Sequence, residues 1–204
     1  MKNVVIIGIA IFACVGILGS YVILSSEISV EDKTLVVGTY SWNGLSFEST
    51  NGFTAIFSDH SFYTISFDIN SNDTYDSDSI ILTGNDNNLS VKEIRGLIHV
   101  LNNTIPNYTC YAEYGFIVYK SNHFTLSNDQ YVQLTDIINA NDFYSLNETY
   151  PATSNMTTDS SWTWITANNN GILHKVSCYN YWPDCYREIW ELIMTYNEGM
   201  GAVQ

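Results

Sequence analysis

The chain has 204 residues, with 7 Lys plus Arg against 21 Asp plus Glu, and a formal net charge of −14. So few cations exclude recognition of a phosphate backbone, so nucleic acid is not a partner. Hydrophobic residues make up 46% and aromatics 14%, including 15 Tyr and 5 Trp, which supplies a buried core and excludes a disordered chain.

Residues 4–24 carry no charge. At about 1.5 Å rise per residue this run spans roughly 30 Å, the thickness of a bilayer core. Lys2 precedes it, and Glu27, Glu31 and Asp32 follow. The pattern predicts a transmembrane anchor over residues 1–24, with the N-terminus cytoplasmic and the rest extracellular. Two rival readings are weighed against it. A cleaved signal peptide has a shorter apolar stretch and a small-x-small site, whereas Leu24 stands third upstream of a cut after Ser26. A lipoprotein signal would use Ile11-Phe12-Ala13-Cys14, where bulky Phe12 is out of place. All three readings put residues 25–204 outside the cytoplasm and make a cell-envelope location the expectation. The membrane, through the N-terminal helix, is the predicted partner, with a surface protein or a glycan as a further one.

Residues 25–33 read as a short stalk, and residues 34–200 as one extracellular domain with a possible sub-boundary near 85. Leu35, Val37 and Thr39 alternate with Val36, Gly38 and Tyr40. Phe53, Ala55 and Phe57 form a second period-two set. Tyr63, Ile65, Phe67 and Ile69 form a third, opposed by Phe62, Thr64, Ser66 and Asp68. These runs predict an antiparallel meander with one wet face. Ile80 to Leu82 is a further short strand.

Ser90-Val91-Lys92-Glu93 has the form of a capping box and opens a helix carrying Ile94, Leu97, Ile98 and Leu101 on one face. Tyr111 to Lys120 and Phe124 to Leu126 predict two strands around a turn at Ser121-Asn122. Ser127-Asn128-Asp129-Gln130 is a second capping box, with Tyr131, Leu134, Ile137 and Ile138 as its apolar stripe. Ser161 to Ala167 and Ile172 to Tyr179 predict a hairpin around Asn168-Asn169-Asn170-Gly171. A last helix starts at Pro183, with Tyr186, Ile189, Trp190, Ile193 and Met194 on one stripe and Gly199 at its end. The predicted fold class is α+β: an N-terminal transmembrane helix, then an antiparallel β-meander, then an α+β module with an amphipathic C-terminal helix.

Cys110-Tyr111, the segment Asn141-Asp142-Phe143-Tyr144-Ser145-Leu146, Tyr150, Asp159, His174-Lys175-Val176 and Pro183 carry a resemblance. Over about residues 110–197 the chain resembles an uncharacterised small α+β domain of bacterial and archaeal cell-envelope proteins. The resemblance implies an α+β fold and a place in the envelope. That family has no assigned activity, so it implies no catalytic residue.

The chemistry-bearing residues predict a non-catalytic domain with no cofactor and no metal. Asp68-x-Asn70-x-Asn72 begins like a calcium loop, but Asp73 stands where the sharp turn needs Gly and Ser79 where a bidentate Glu is needed. His60, His99, His123 and His174 show no metal-ligand spacing. Cys110 paired with His123 or His174 is better read as a structural thiol than as a nucleophile with its base. Glu188 and Glu191 read as a solvated helix face rather than a glycosidase pair. Among the three external cysteines, Cys178 and Cys185 are expected to form a disulfide pinning the last helix to the hairpin, with a bridge from Cys110 to either as the alternative. Trp162 and Trp164 point the same way from one strand, as core residues or as a surface that stacks a ligand. Six N-x-Ser/Thr sequons, at Asn72, Asn88, Asn102, Asn107, Asn147 and Asn155, are possible glycosylation sites. The expected function is a membrane-anchored, acidic cell-surface domain with a binding or structural role. Alternatives are a carbohydrate-binding module using surface Trp and a surface hydrolase of unidentified site.

Overall fold

A computed structural model describes residues 29–43, 51–70, 79–83, 85–104, 115–140, 142–151, 161–179 and 181–201. The described residues form eight strands: β1 (Leu35–Asn43), β2 (Asn51–Phe57), β3 (Ser61–Asn70), β4 (Ile80–Leu82), β5 (Gly115–Thr125), β6 (Thr149–Tyr150), β7 (Ser161–Asn169) and β8 (Ile172–Tyr179). Three helices accompany them: α1 (Val91–Thr104), α2 (Asn128–Ala140) and α3 (Asp184–Gly201). Short 3-10 turns occupy Val30–Asp32 and Phe143–Ser145.

The helices start where the sequence places them, for the reason it gives. Ser90 N–H donates to Glu93 Oε2 at 2.8 Å, and Glu93 N–H returns to Ser90 Oγ at 3.3 Å. Ser127 N–H donates to Gln130 Oε1 at 2.9 Å, and Gln130 N–H returns to Ser127 Oγ at 3.2 Å. Each pair satisfies two amides that the first turn leaves without a helical acceptor. In α3 the Arg187 N–H donates to Pro183 O at 2.9 Å, so Pro183 starts the hydrogen-bond ladder while lacking only a donor that the helix does not need there.

All eight strands join in one sheet, in the order β4-β5-β3-β2-β1-β7-β8-β6. The inner pairs are antiparallel, and only the edge pairs β4–β5 and β6–β8 are parallel. Two core clusters lie on opposite faces. One joins Tyr40, Phe53, Phe57, Ile65 and Phe67 of the sheet to Ile94, Leu97 and Leu101 of α1. The other joins Val37, Ile56, Phe62, Ile165 and Val176 to Leu134 and Ile138 of α2 and Tyr186, Ile189 and Ile193 of α3.

This corrects the expected fold class. The sequence predicts a transmembrane helix, then a meander with one wet face, then an α+β module, with a possible sub-boundary near residue 85. Instead, β5 pairs with β3 and β7 pairs with β1, so the β1–β2–β3 meander is the centre of a single mixed sheet and the later strands flank it on both sides. Helices bury both faces: in β2, six of seven residues are buried. Along β3 the expected wet face emerges toward the far end: Phe62 and Thr64 are buried, Ser66 is half-buried and Asp68 is exposed. The expected transmembrane helix lies outside the described residues; among those described, no helix is long and apolar enough to cross a membrane. The fold established here is therefore the sheet domain.

The two strands expected around Ser121-Asn122 are one strand, β5, with an irregularity in register where Ser66 and Phe67 pair with Lys120 and Val118. Ser121, a turn former, is wholly buried. Its hydroxyl donates to Asn87 Oδ1 at 3.2 Å and accepts Leu89 N–H at 3.3 Å. With its hydroxyl engaged by the 87–89 segment and its backbone paired with Ile65 of β3, Ser121 has no need of a turn. The β7–β8 hairpin forms around Asn170 (φ 52°) and Gly171 (φ 91°), two left-handed residues as a tight two-residue turn requires.

The expected disulfide is corrected as well: Cys178 and Cys185 are both free thiols. The cause is helical phase. Tyr186, wholly buried, takes the inward position in the first turn of α3, and Cys185 is rotated about 100° to the flank. Cys178 is enclosed beneath the helix in the second core cluster.

Candidate functional site: an aromatic platform

The face of the sheet that carries α1 has a second half, formed by β1, β7 and β8. Register sets its side chains in rows. Trp42 pairs with Trp162, and Trp162 with Tyr179. Tyr40 pairs with Trp164, and Trp164 with Ser177. Gly38 pairs with Thr166, and Thr166 with Lys175. The C-terminal turn of α1 borders this last row: Thr166 Oγ1 donates to Thr104 O at 3.1 Å, and Lys175 Nζ to Asn103 O at 3.3 Å.

The first two rows form an aromatic platform. The rings of Trp162 and Trp164 stand 5.7 Å apart between centroids and 19° from parallel. Tyr179 meets Trp162 at 4.7 Å, and Tyr40 meets Trp164 at 5.0 Å. Tyr40 is buried and fixed from below, its hydroxyl donating to Asn51 Oδ1 at 3.1 Å. Trp162, Trp164 and Tyr179 are half-buried, and Trp42 is 40% exposed. The shared direction of Trp162 and Trp164 follows from strand alternation, as the sequence predicts. Trp42, Tyr179 and Tyr40 join them only through long-range register, for which the sequence carries no local signal.

A polar cluster at the opposite end of β1 looks chemically active and is not arranged to act. Lys33 Nζ lies 3.0 Å from Ser61 Oγ and 3.2 Å from Tyr63 OH. A serine beside a lysine is one way to build a nucleophile, provided that the lysine is a neutral base. Here Lys33 also pairs with Asp59 Oδ2 at 2.8 Å. Burial lowers the Lys33 pKa, but its bonds to Asp59 and Tyr63 outweigh this and hold it raised. Burial likewise pushes Asp59 up, yet the hydrogen bonds from Lys33 and Ser61 bring it down to about 2. Both groups stay charged at neutral pH, and the cluster clamps the Val30–Asp32 turn to the β2–β3 turn.

The remaining sequence candidates are dispersed. Glu188 and Glu191 are exposed on α3. His174 packs edge-on to Phe143 at 5.5 Å, with its Nε2 buried and without a partner. Cys110 and residues 71–78 of the acidic loop lie outside the described residues, as do the sequons at Asn72, Asn107 and Asn155. Among the described residues no group of three or more His, Cys, Asp or Glu stands close enough to hold a metal ion. An open groove along α2 is lined by Asp129, Val132, Gln133, Asp136, Ile137 and Ala140, all from that one helix. No polar groups from a second element converge there.

No family model matches the chain, and neither does any curated protein or solved structure.

Proposed function

We propose that the domain is a non-catalytic binding module of the cell surface, and that the platform of Trp42, Trp162, Trp164 and Tyr179 is its contact surface for a glycan. The observation that carries this reading is the near-parallel, half-buried Trp162/Trp164 pair, extended by Tyr179 and by Trp42, which is 40% exposed. Indole and phenol rings present broad apolar faces to the C–H-rich faces of pyranose rings while their polar tips remain wet. The chain's charge of −14 disfavours an anionic polymer and points to a neutral glycan. The envelope location rests on the uncharged run of residues 4–24 and on the envelope-domain resemblance of residues 110–197. β1 runs from the Lys33 end toward Trp42, so about 23 Å of strand separates Leu35 from the outer edge of the platform.

Affinity electrophoresis through gels containing neutral polysaccharides tests the reading. The native domain is retarded by at least one such polymer. Trp42→Ala and Trp162→Ala each weaken retention about 10-fold, or about 1.4 kcal/mol, while a single cooperative urea transition and a native elution volume show that the fold is kept. Equal retention of folded Trp42→Ala and native protein sinks the platform as the contact surface.

A further inference from the structure

Three sequons fall on described residues, at Asn88, Asn102 and Asn147, and the fold presents them differently. N-glycosylation requires a transferase to reach both the Asn amide and the hydroxyl two residues on. Asn102 lies within α1, with its Oδ1 buried and unpartnered. Its paired hydroxyl belongs to Thr104, which is 2% exposed and donates to Leu101 O at 3.1 Å. Asn88 is exposed but stitched to β5: its Nδ2 donates to Asn122 Oδ1 at 2.8 Å and its N–H to Ser121 O at 2.9 Å. Its paired hydroxyl, on Ser90, donates to Glu93 Oε2 at 2.6 Å.

Asn147 is different. Asn147, Glu148 and Thr149 are all exposed, in the link from the Phe143–Ser145 turn into β6. The Asn147 N–H donates to Tyr150 OH at 3.0 Å, which fixes the backbone of an exposed residue. Ser177 Oγ donates to Glu148 O at 3.0 Å and lies 3.2 Å from Thr149 Oγ1, so the Thr149 hydroxyl is held at the surface by a single contact with another hydroxyl.

We propose that Asn147 is an N-glycan attachment site of the folded protein and that Asn102 is closed to the same reaction. The donor is a lipid-pyrophosphate-linked oligosaccharide. The bond from Asn147 Nδ2 to the sugar anomeric carbon forms, the bond from that carbon to the pyrophosphate oxygen breaks, and the amide proton leaves to a base of the transferase. No electron is transferred.

The position gives the glycan a physical role. β6 has two residues and covers only Ser177 and Cys178 of β8. Among the described residues no strand pairs with the outer edge of Ile172–Val176, and Ile172 is 75% exposed. An open edge with apolar residues invites pairing with another chain. A bulky, solvated sugar beside β6 obstructs that approach.

The test treats the folded full-length chain, and separately the chain unfolded in urea and diluted immediately before use, with an oligosaccharyltransferase and its lipid-linked donor, followed by glycopeptide mapping. The folded chain carries glycan on the Asn147 peptide and none on the Asn102 peptide, Asn147→Gln abolishes the first signal, and the unfolded chain is modified at both. Modification of Asn147 only after unfolding overturns the proposal, as does equal modification of Asn102 in the folded chain.

Discussion

Lys33 Nζ lies 2.8 Å from Asp59 Oδ2, and this contact ties the segment that enters the domain to the turn between β2 and β3. The Lys33 side chain is 14% exposed and reaches over the rings of Phe57 and Tyr63, at 5.9 and 5.2 Å from their centroids. Its charge is thus met by a carboxylate at the tip and by aromatic faces along the stem.

The clamp sets a pH dependence. The Asp59 pKa falls from 3.8 to about 2 on folding, so its contribution is complete above 3.8 and is lost as pH drops toward 2. The Asp59 side chain is 51% exposed, so solvent screening keeps the contribution below about 1 kcal/mol. Urea midpoints of native protein and Asp59→Asn differ at pH 6 and converge by pH 2. A constant difference across that range contradicts the assignment.

A buried hydroxyl pair makes an asymmetric prediction. Tyr186 OH donates to Thr163 Oγ1 at 3.0 Å, and Thr163 Oγ1 donates onward to Cys178 O at 3.4 Å. Tyr186→Phe leaves Thr163 with its acceptor and costs about 1 kcal/mol. Thr163→Val leaves the wholly buried Tyr186 hydroxyl without a partner and costs about 1–3 kcal/mol. Chemical denaturation ranks the two, with Thr163→Val the less stable.

The free thiols differ in reactivity. Burial, with a smaller push from Cys185, raises the Cys178 thiol to about 12, whereas Cys185 is half-exposed and only raised. Thiolate is the reacting form. Iodoacetamide at pH 8 therefore labels the Cys185 site and spares Cys178 until denaturant is added. Peptide mapping reads both positions, and prompt labelling of Cys178 in the native domain contradicts its burial.

The β7–β8 turn depends on its glycine. Gly171 has φ of 91° with open space around its Cβ position, so Gly171→Ala meets no clash but adopts a backbone conformation that L-residues avoid. The expected cost is about 1–2 kcal/mol, read as a fall in midpoint temperature of a few degrees.

Local features of this fold were legible in the sequence, because their causes lie within a few residues of one another. Ser90 with Glu93 and Ser127 with Gln130 are three apart, the hairpin turn is a dipeptide, and Trp162 and Trp164 share a face by alternation alone. Sheet order was not legible. Phe62 looks like one apolar residue on a polar face until Phe124, from β5, stacks on it at 4.3 Å. Ser121-Asn122 reads as a turn until Asn87 supplies a partner on the far side of β5. The platform was half legible for the same reason: Trp162 and Trp164 were identifiable, but Tyr179 and Trp42 reach them through neighbouring strands. The disulfide expectation failed on rotation, since spacing places two cysteines near each other but does not say which residue of a helical turn faces inward.

β1 occupies the middle of the sheet yet is the first strand synthesised, and one of its two neighbours, β7, begins only at Ser161. The Asn168 Nδ2 bond to Leu35 O, 2.9 Å long, closes across 133 residues. Contacts so remote in sequence carry a large loop-closure entropy and slow the search for the native state. A nascent chain released as far as β5 holds β1, β2 and β3 with the β1 edge bare, including Tyr40 and Trp42. The domain therefore matures late, and until β7 arrives an aromatic strand edge is open to pairing with its like in another unfinished chain.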